Sequence, residues 1–180
     1  MAVHTGAGRC LTAEDWLLST LPEPNHERHR RLWAKGLISM LPLGEWFSVV
    51  KIPGKLLCAA IGVPDAPDER VDGFLARILG GRPVICDPSI PAYYAVVPKG
   101  GDLPASWHQY VAGWHPLGVR YMGRGAWVDV PGPGDVALDV DRFAPYWAVP
   151  VSTPPTPCDP RAVVHLIEVL AQAARKEASR

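Results

Sequence analysis

Apolar residues recur at helical spacing most clearly between residues 67 and 79. Five of them follow the i, i+3, i+4, i+7, i+8 pattern of one helix face: Val71, Phe74, Leu75, Ile78 and Leu79. Acidic residues stand at the start of this segment and two glycines follow its end, as expected for helix termini. The pattern predicts an amphipathic helix that buries this face against a sheet.

Similar spacing, combined with a capping residue or a closing glycine, predicts further helices at 12–18, 26–41, 54–62, 106–112 and 159–176. In the last of these, the polar residues form one stripe that should face water: His165, Glu168, Gln172 and Arg175. Short apolar runs predict strands at 46–52, 83–87, 93–98, 118–122, 126–130 and 146–150. The glycine turn at 123–125 favours a hairpin between two of them.

These elements predict an α+β fold: a single domain with a mixed or antiparallel central sheet and flanking helices at both ends. We expect four parts within residues 1–180, namely a helical N-terminal extension (1–45), an α+β core (46–150), a proline-rich linker (151–158) and a C-terminal helix (159–178). No internal repeat interrupts this order.

Composition narrows the classes of function. The 180 residues are 48% hydrophobic and carry no net charge, so no global positive field attracts nucleic acid or an anionic membrane. The N-terminus has no apolar stretch of signal-peptide type, and no run reaches the roughly 18 apolar residues of a membrane span. We therefore expect a cytoplasmic protein without membrane association. The four cysteines form no CxxC pair, and neither a metal nor a cofactor is predicted.

Three groups of residues offer chemistry. The basic segment 25–31 with Lys35 could bind phosphate, although a solvated helix face is the favoured interpretation. Asp139 and Asp141 share one face if they lie in a strand, and could then hold a divalent cation; an exposed loop suits them equally well. Beside the aromatic Trp107, Tyr110 and Trp114 stand two histidines, His108 and His115, without a nucleophile or an orienting carboxylate in the pattern.

Residues 46–150 resemble, in order, the bifunctional primase-polymerase domain common in actinobacteria and their plasmids. WFSVVKIP occupies the place of that family's first strand, helix 67–79 the place of its helix, and PVICDPSIPAYYAVVP that of its strand pair. GVRYMGRGAWVDVPGPG is the best local match. The resemblance implies a primase-polymerase-like α+β core.

The same resemblance implies that catalysis is lost. Lys51 and Arg120 stand where the family has metal-binding acids, and no histidine precedes Tyr93-Tyr94. Two-metal nucleotidyl transfer needs carboxylates, and these cations would repel Mg²⁺. No catalytic residue is therefore carried over, and we lean against an enzyme. The expected function is a binding or regulatory module for a nucleotide, a nucleic acid or a protein partner. Its ligand is expected to be anionic, and nucleic acid is the weaker alternative.

The candidate ligand-binding residues are Arg120, Arg124, Trp127, Tyr93, Tyr94, Trp107, His108 and Trp114. The segment from Arg120 to Trp127 is expected to form the rim of the site. Two alternatives stay open. One is a small specialised bacterial enzyme acting on an aromatic or acyl substrate, in a pocket lined by Trp107, His108, Trp114, Tyr93 and Tyr94. The other is a partner subunit or homo-oligomer with an aromatic interface, because the chain has seven tryptophans.

Overall fold

In the computed structural model, residues 11–179 are described, and Cys10 lies outside them. The helices are α1 (Ala13–Leu18), α2 (His26–Ala34), α3 (Gly54–Ile61), α4 (Glu69–Ile78), α5 (Trp107–Trp114) and α6 (Pro160–Ala178). The strands are β1 (Ser39–Pro42), β2 (Phe47–Pro53), β3 (Val84–Asp87), β4 (Ala92–Pro98), β5 (Arg120–Met122), β6 (Trp127–Val130) and β7 (Tyr146–Val149). The predicted α+β class is confirmed.

Five strands form one antiparallel sheet in the order β5-β2-β4-β3-β7, so β4 lies at its centre. β1 and β6 form a separate antiparallel ribbon. Successive side chains of a strand point to opposite faces. Tyr93 and Ala95 of β4 therefore enter one hydrophobic core with α3, α4 and α6. Tyr94 and Val96 enter a second core with α1, α2 and the ribbon.

Several helices begin or end at the capping residues and the glycine that the sequence predicts. The Thr12 side chain accepts a hydrogen bond from the Asp15 amide at the start of α1, and Asp159 does the same for Arg161 at the start of α6. Gly62 ends α3 in the left-handed region, with φ 78°. The four polar residues predicted to face water on α6 are exposed. Across the described residues, no helix combines the length and the apolar character needed to cross a membrane.

Two local predictions are wrong. The segment 26–41 is not one helix, because α2 ends at Ala34 and Gly36 turns the chain with φ 64° into β1. The segment 1–45, expected to be helical, therefore also contributes a strand. The hairpin across Gly123–Gly125 is also absent, since β5 pairs with β2 whereas β6 pairs with β1. The glycine turn instead carries the chain from the sheet to the ribbon.

Gly44 holds the ribbon and this turn together. Its φ is +100°, and a Cβ at this position would lie 2.4 Å from the backbone nitrogen of Arg124. Next to it, the Leu43 amide donates a hydrogen bond to the Ala126 carbonyl. Only glycine permits both this backbone conformation and this close approach. The contact fixes the position of the ribbon over the second core, beside the end of the sheet.

Candidate functional site

A cleft of about 360 Å³ opens between the ribbon and one end of the five-stranded sheet. It is lined by residues from both, including Met40, Asp87, Ile90, Tyr94, Trp127 and Asp129. Met122 of β5 also lines it, so the cleft extends across the sheet face from β3 to β5. It combines acidic groups with an apolar wall, a composition suited to binding a small organic group.

Strand register places the polar groups of the cleft. Asp87 is the last residue of β3 and pairs with Ala92, two residues before Tyr94, so Asp87 and Tyr94 share one face of the sheet. Asp129 comes from β6, where it pairs with Met40 across the ribbon. The sheet and the ribbon thus each contribute one carboxylate to the same cleft.

Asp87 is held in position by its own turn. Its side chain is only 9% exposed, and its Oδ1 accepts hydrogen bonds from the Ser89 amide (2.9 Å) and the Ser89 hydroxyl (2.6 Å). Both bonds go to Oδ1, which leaves Oδ2 without a donor among the described residues. Asp87 lines the cleft, so this oxygen can accept a hydrogen bond from a ligand bound there.

Asp129 adds a second negative group nearby. Burial, and secondarily the Asp87 carboxylate, raise the pKa of the Asp129 carboxyl above its ordinary value. The ion pairs among residues 11–179 join other side chains, and neither Asp87 nor Asp129 has a cation within 4.0 Å. The two carboxylates therefore make this part of the cleft acidic, and neither is paired with a cation among the described residues.

Tyr94 forms the floor of the cleft, and it lies between the two acids and the cations Lys51 and Arg120. It is 8% exposed, and burial raises the pKa of its hydroxyl to about 12 without any hydrogen bond contributing. The Lys51 ammonium lies 5.8 Å from the centre of its ring. Lys51 pairs across the sheet with Tyr94 on one side and with Arg120 on the other. The three side chains thus form a row on one face.

The wall of the cleft presents apolar side chains to solvent. Met40, Trp127 and Ile90 are 58%, 53% and 50% exposed. Exposed apolar side chains grouped around a concave polar site indicate a binding surface more strongly than isolated ones do. Trp127 also offers an aromatic face to a bound cation.

The candidate residues predicted from the sequence fall into separate places. Tyr94 and Trp127 line the cleft, and Arg120 lies on the adjoining strand. Tyr93 points to the opposite face from Tyr94, so one pocket cannot contain both. Arg124 is exposed in the turn after β5 and is not among the lining residues.

The aromatic cluster of α5 is mainly a core element. Trp107 and Trp114 are buried with their rings 5.2 Å apart in an edge-to-face arrangement, whereas His108 is exposed. Trp107 also lines a cleft of about 390 Å³ beside α6, together with Ser106, His165 and Glu168. Among the hydrogen bonds of residues 11–179, none joins these three polar side chains, so a nucleophile and an oriented base are not assembled there.

Asp139 and Asp141 lie in a loop and not in a strand. The Asp139 carboxylate accepts hydrogen bonds from the amides of Asp141 and Arg142, which closes a local turn. This use of the side chain fits the exposed-loop interpretation. Within residues 11–179, no three His, Cys, Asp or Glu side chains gather in a way that could hold a metal ion.

Sequence reasoning missed Asp87, Asp129 and Met40. A usable signal was present for the two acids, because each stands in or at the end of an apolar strand, where an unpaired charge is uncommon. Comparison of the chain with known protein families, curated proteins and solved structures finds no match. The resemblance to the primase-polymerase domain stays a prediction.

Proposed function

We propose that this protein is a binding module whose cleft takes an organic cation with a flat or apolar body. The observation that carries this proposal is the pair of carboxylates, Asp87 and Asp129, in one cleft. Exposed apolar side chains surround the pair, and neither carboxylate is paired with a cation among the described residues. A guanidinium or ammonium group supplies the donors and the charge that Oδ2 of Asp87 lacks. The exposed Trp127 ring and Met40 can cover the apolar part of the same ligand.

An organic cation fits this site better than a metal ion does. Two carboxylates with one neighbouring hydroxyl fall short of the oxygen ligands that Ca²⁺ takes, whereas a guanidinium is satisfied by one or two carboxylates. Binding, and not catalysis, also agrees with the lost metal motif implied by the resemblance to primase-polymerases. An anionic ligand at Arg120 and Arg124 stays a prediction, and the acids of the cleft favour the opposite charge for the group bound there.

The proposal is tested with Nα-acetyl-arginine amide, which carries one positive charge. Titration calorimetry should show binding to the native protein and a weakening of about tenfold or more in Asp87→Asn, since a hydrogen bond to a charged group contributes about 1.5–3 kcal/mol. Asp141→Asn, on an exposed loop, is the matched control and should bind like the native protein. Equal affinity in Asp87→Asn and the control, or no binding to any of the three, contradicts the proposal.

The pH dependence of this affinity has a defined sign. The pKa of Asp129 is raised by burial and by the Asp87 carboxylate, so Asp129 becomes protonated at a higher pH than an ordinary aspartate does. A cation binds the ionised form, and its affinity should therefore increase as pH rises through that pKa. Asp129→Asn should remove this increase and leave the contribution of Asp87.

A further inference from the structure

Two cations lie on the same sheet face as the acidic cleft. Lys51 and Arg120 are direct cross-strand partners on β2 and β5, and neither makes an ion pair within 4.0 Å among the described residues. Lys51 is half-buried and its ammonium rests beside the Tyr94 ring, whereas Arg120 is exposed. The face thus carries unpaired charges of both signs.

Tyr94 keeps these charges apart. It stands directly opposite Lys51, and Asp87 lies on the next strand, two residue pairs further along the sheet. Neighbouring strands are about 4.8 Å apart and residues rise about 3.4 Å along a strand, so the Cα atoms of Lys51 and Asp87 lie roughly 12 Å apart, on either side of the Tyr94 ring. Met122, which lines the cleft, lies two residues from Arg120 on the same strand face. The cleft therefore extends from the acids to the strand that carries Arg120, and the two cations lie next to its lining on the same face of the sheet.

This arrangement is complementary to a ligand with two opposite charges. A cation bound by Asp87 and Asp129 leaves its body over Tyr94, and a carboxylate at the other end of that body meets Lys51 and Arg120. A guanidinium can bind such a carboxylate through two parallel hydrogen bonds. A Cα separation of roughly 12 Å is the span of about three to four extended residues, and because the side chains of Lys51, Arg120 and Asp87 extend from the backbone, a basic side chain with its own carboxylate can bridge it.

We infer that the ligand is a basic ω-substituted amino acid, free or at the C-terminus of a peptide, with its side-chain cation at Asp87 and Asp129 and its carboxylate at Lys51 and Arg120. This inference rests on the proposed function, because it adds a second charged end to the same cleft. Because the site carries charges of both signs, a ligand with two opposite charges binds in one direction only. A simple amine lacks the second charge and is discriminated against.

The test compares two ligands that differ only at the second end: Nα-acetyl-arginine with a free carboxylate, and its amide. The native protein should bind the free acid about tenfold or more tightly than the amide, because the acid gains charge-assisted hydrogen bonds. The double variant Lys51→Gln with Arg120→Gln should lose this preference and keep the affinity for the amide. Arg77→Gln, an exposed cation on α4, is the control and should keep the preference.

The outcomes separate the two proposals. Equal affinity for acid and amide in the native protein, with both lost in Asp87→Asn, overturns the two-ended ligand and leaves the cation cleft standing. Binding of both compounds that is indifferent to Asp87→Asn overturns the cleft itself. Thermal unfolding midpoints of the variants should match the native value, which excludes misfolding as the cause. If free arginine binds as tightly as the acetylated acid, the site is assigned to amino acids. If free arginine binds more weakly than the acetylated acid, the site is assigned to peptide C-termini. Both outcomes support the inference.

Discussion

Asp72 of α4 is a partly buried residue on the side of the sheet opposite to the cleft. Its Oδ2 accepts a 2.8 Å hydrogen bond from the Tyr146 hydroxyl, while its Oδ1 and the Tyr93 hydroxyl are buried without a partner among the described residues. Burial raises the pKa of Asp72 to about 6, against the lowering effect of the Tyr146 hydrogen bond. Because burial disfavours the charged carboxylate, the native state favours the protonated form of Asp72.

This shift gives a pH dependence of stability. The folded-state pKa of about 6 exceeds the ordinary value of 3.8, so the native state holds a proton that the unfolded chain releases. The stabilising effect is complete below the ordinary pKa and is lost as pH rises through about 6. Asp72→Asn should therefore flatten the decrease of the urea midpoint between pH 4 and pH 7.5. Asp141→Asn is the control, and an unchanged decrease in Asp72→Asn contradicts the assignment.

At the scale of an element, α4 shows how far a hydrophobic pattern determines packing. Val71, Leu75 and Leu79 of the predicted face are buried, whereas Phe74 and Ile78 are only partly buried at its margin. The pattern defines an apolar stripe along the helix. The orientation of the helix about its axis then decides which side of the stripe is buried most deeply.

Because of this orientation, we expect truncation of the smaller leucine to destabilise the protein more than truncation of the larger phenylalanine does. Leu75→Ala should destabilise the protein by about 2–5 kcal/mol, the range for a fully buried leucine, and Phe74→Ala should cost less although it removes a larger side chain. Urea unfolding at one pH compares the two variants directly. A larger loss for Phe74→Ala would mean that the partly buried margin of the helix carries the packing.

β1 shows where the sequence is ambiguous. Leu37, Met40 and Leu41 stand at i, i+3 and i+4, as on a helix face, yet the chain leaves the helix at Gly36 and alternates as a strand. A four-residue strand is too short for its periodicity to be distinguished from a helical turn. The sequence predicts β2, β3 and β4 correctly, because these strands are longer or more apolar than β1 and their patterns do not fit a helix equally well.

The site was predicted only in part. Tyr94 and Trp127 were identified from the aromatic pattern, but Asp87 and Asp129 are 42 positions apart in sequence, and their meeting depends on the ribbon docking over the sheet. The glycine turn predicts a hairpin between β5 and β6, which would place Asp129 on the main sheet, whereas β6 pairs with β1. Pairing partners of short strands depend on long-range packing, which local patterns do not encode.

For the whole molecule, the sheet separates two cores, and three cysteines are buried in the first of them. Cys58, Cys86 and Cys158 are free thiols, and burial raises the pKa of both Cys86 and Cys158 to about 12. Only the thiolate attacks a disulfide, so both reduced access and a raised pKa protect these residues.

This protection can be measured in a Cys10→Ser variant, which leaves these three cysteines. An aromatic disulfide reagent should label none of them within minutes at pH 7.5 in the native protein, and all three promptly in strong denaturant. Intact mass spectrometry counts the labelled thiols. Rapid native labelling of Cys158 would show that the segment before α6 opens independently of the core.

The central position of β4 bears on how long a ligand stays bound. Residues 92–97 are buried on both faces, so exposing the floor beneath a ligand requires disruption of both cores. The wall beside the proposed ligand includes Met40 and Trp127 of the ribbon, whose side chains are exposed, whereas Leu41, Val128 and Val130 of the same ribbon are buried in the second core. Entry and release can then proceed by rotation of the two exposed side chains while the charged floor and the ribbon backbone stay in place. Residence time and equilibrium selectivity would be set by different parts of the molecule, and evolution could adjust one without the other.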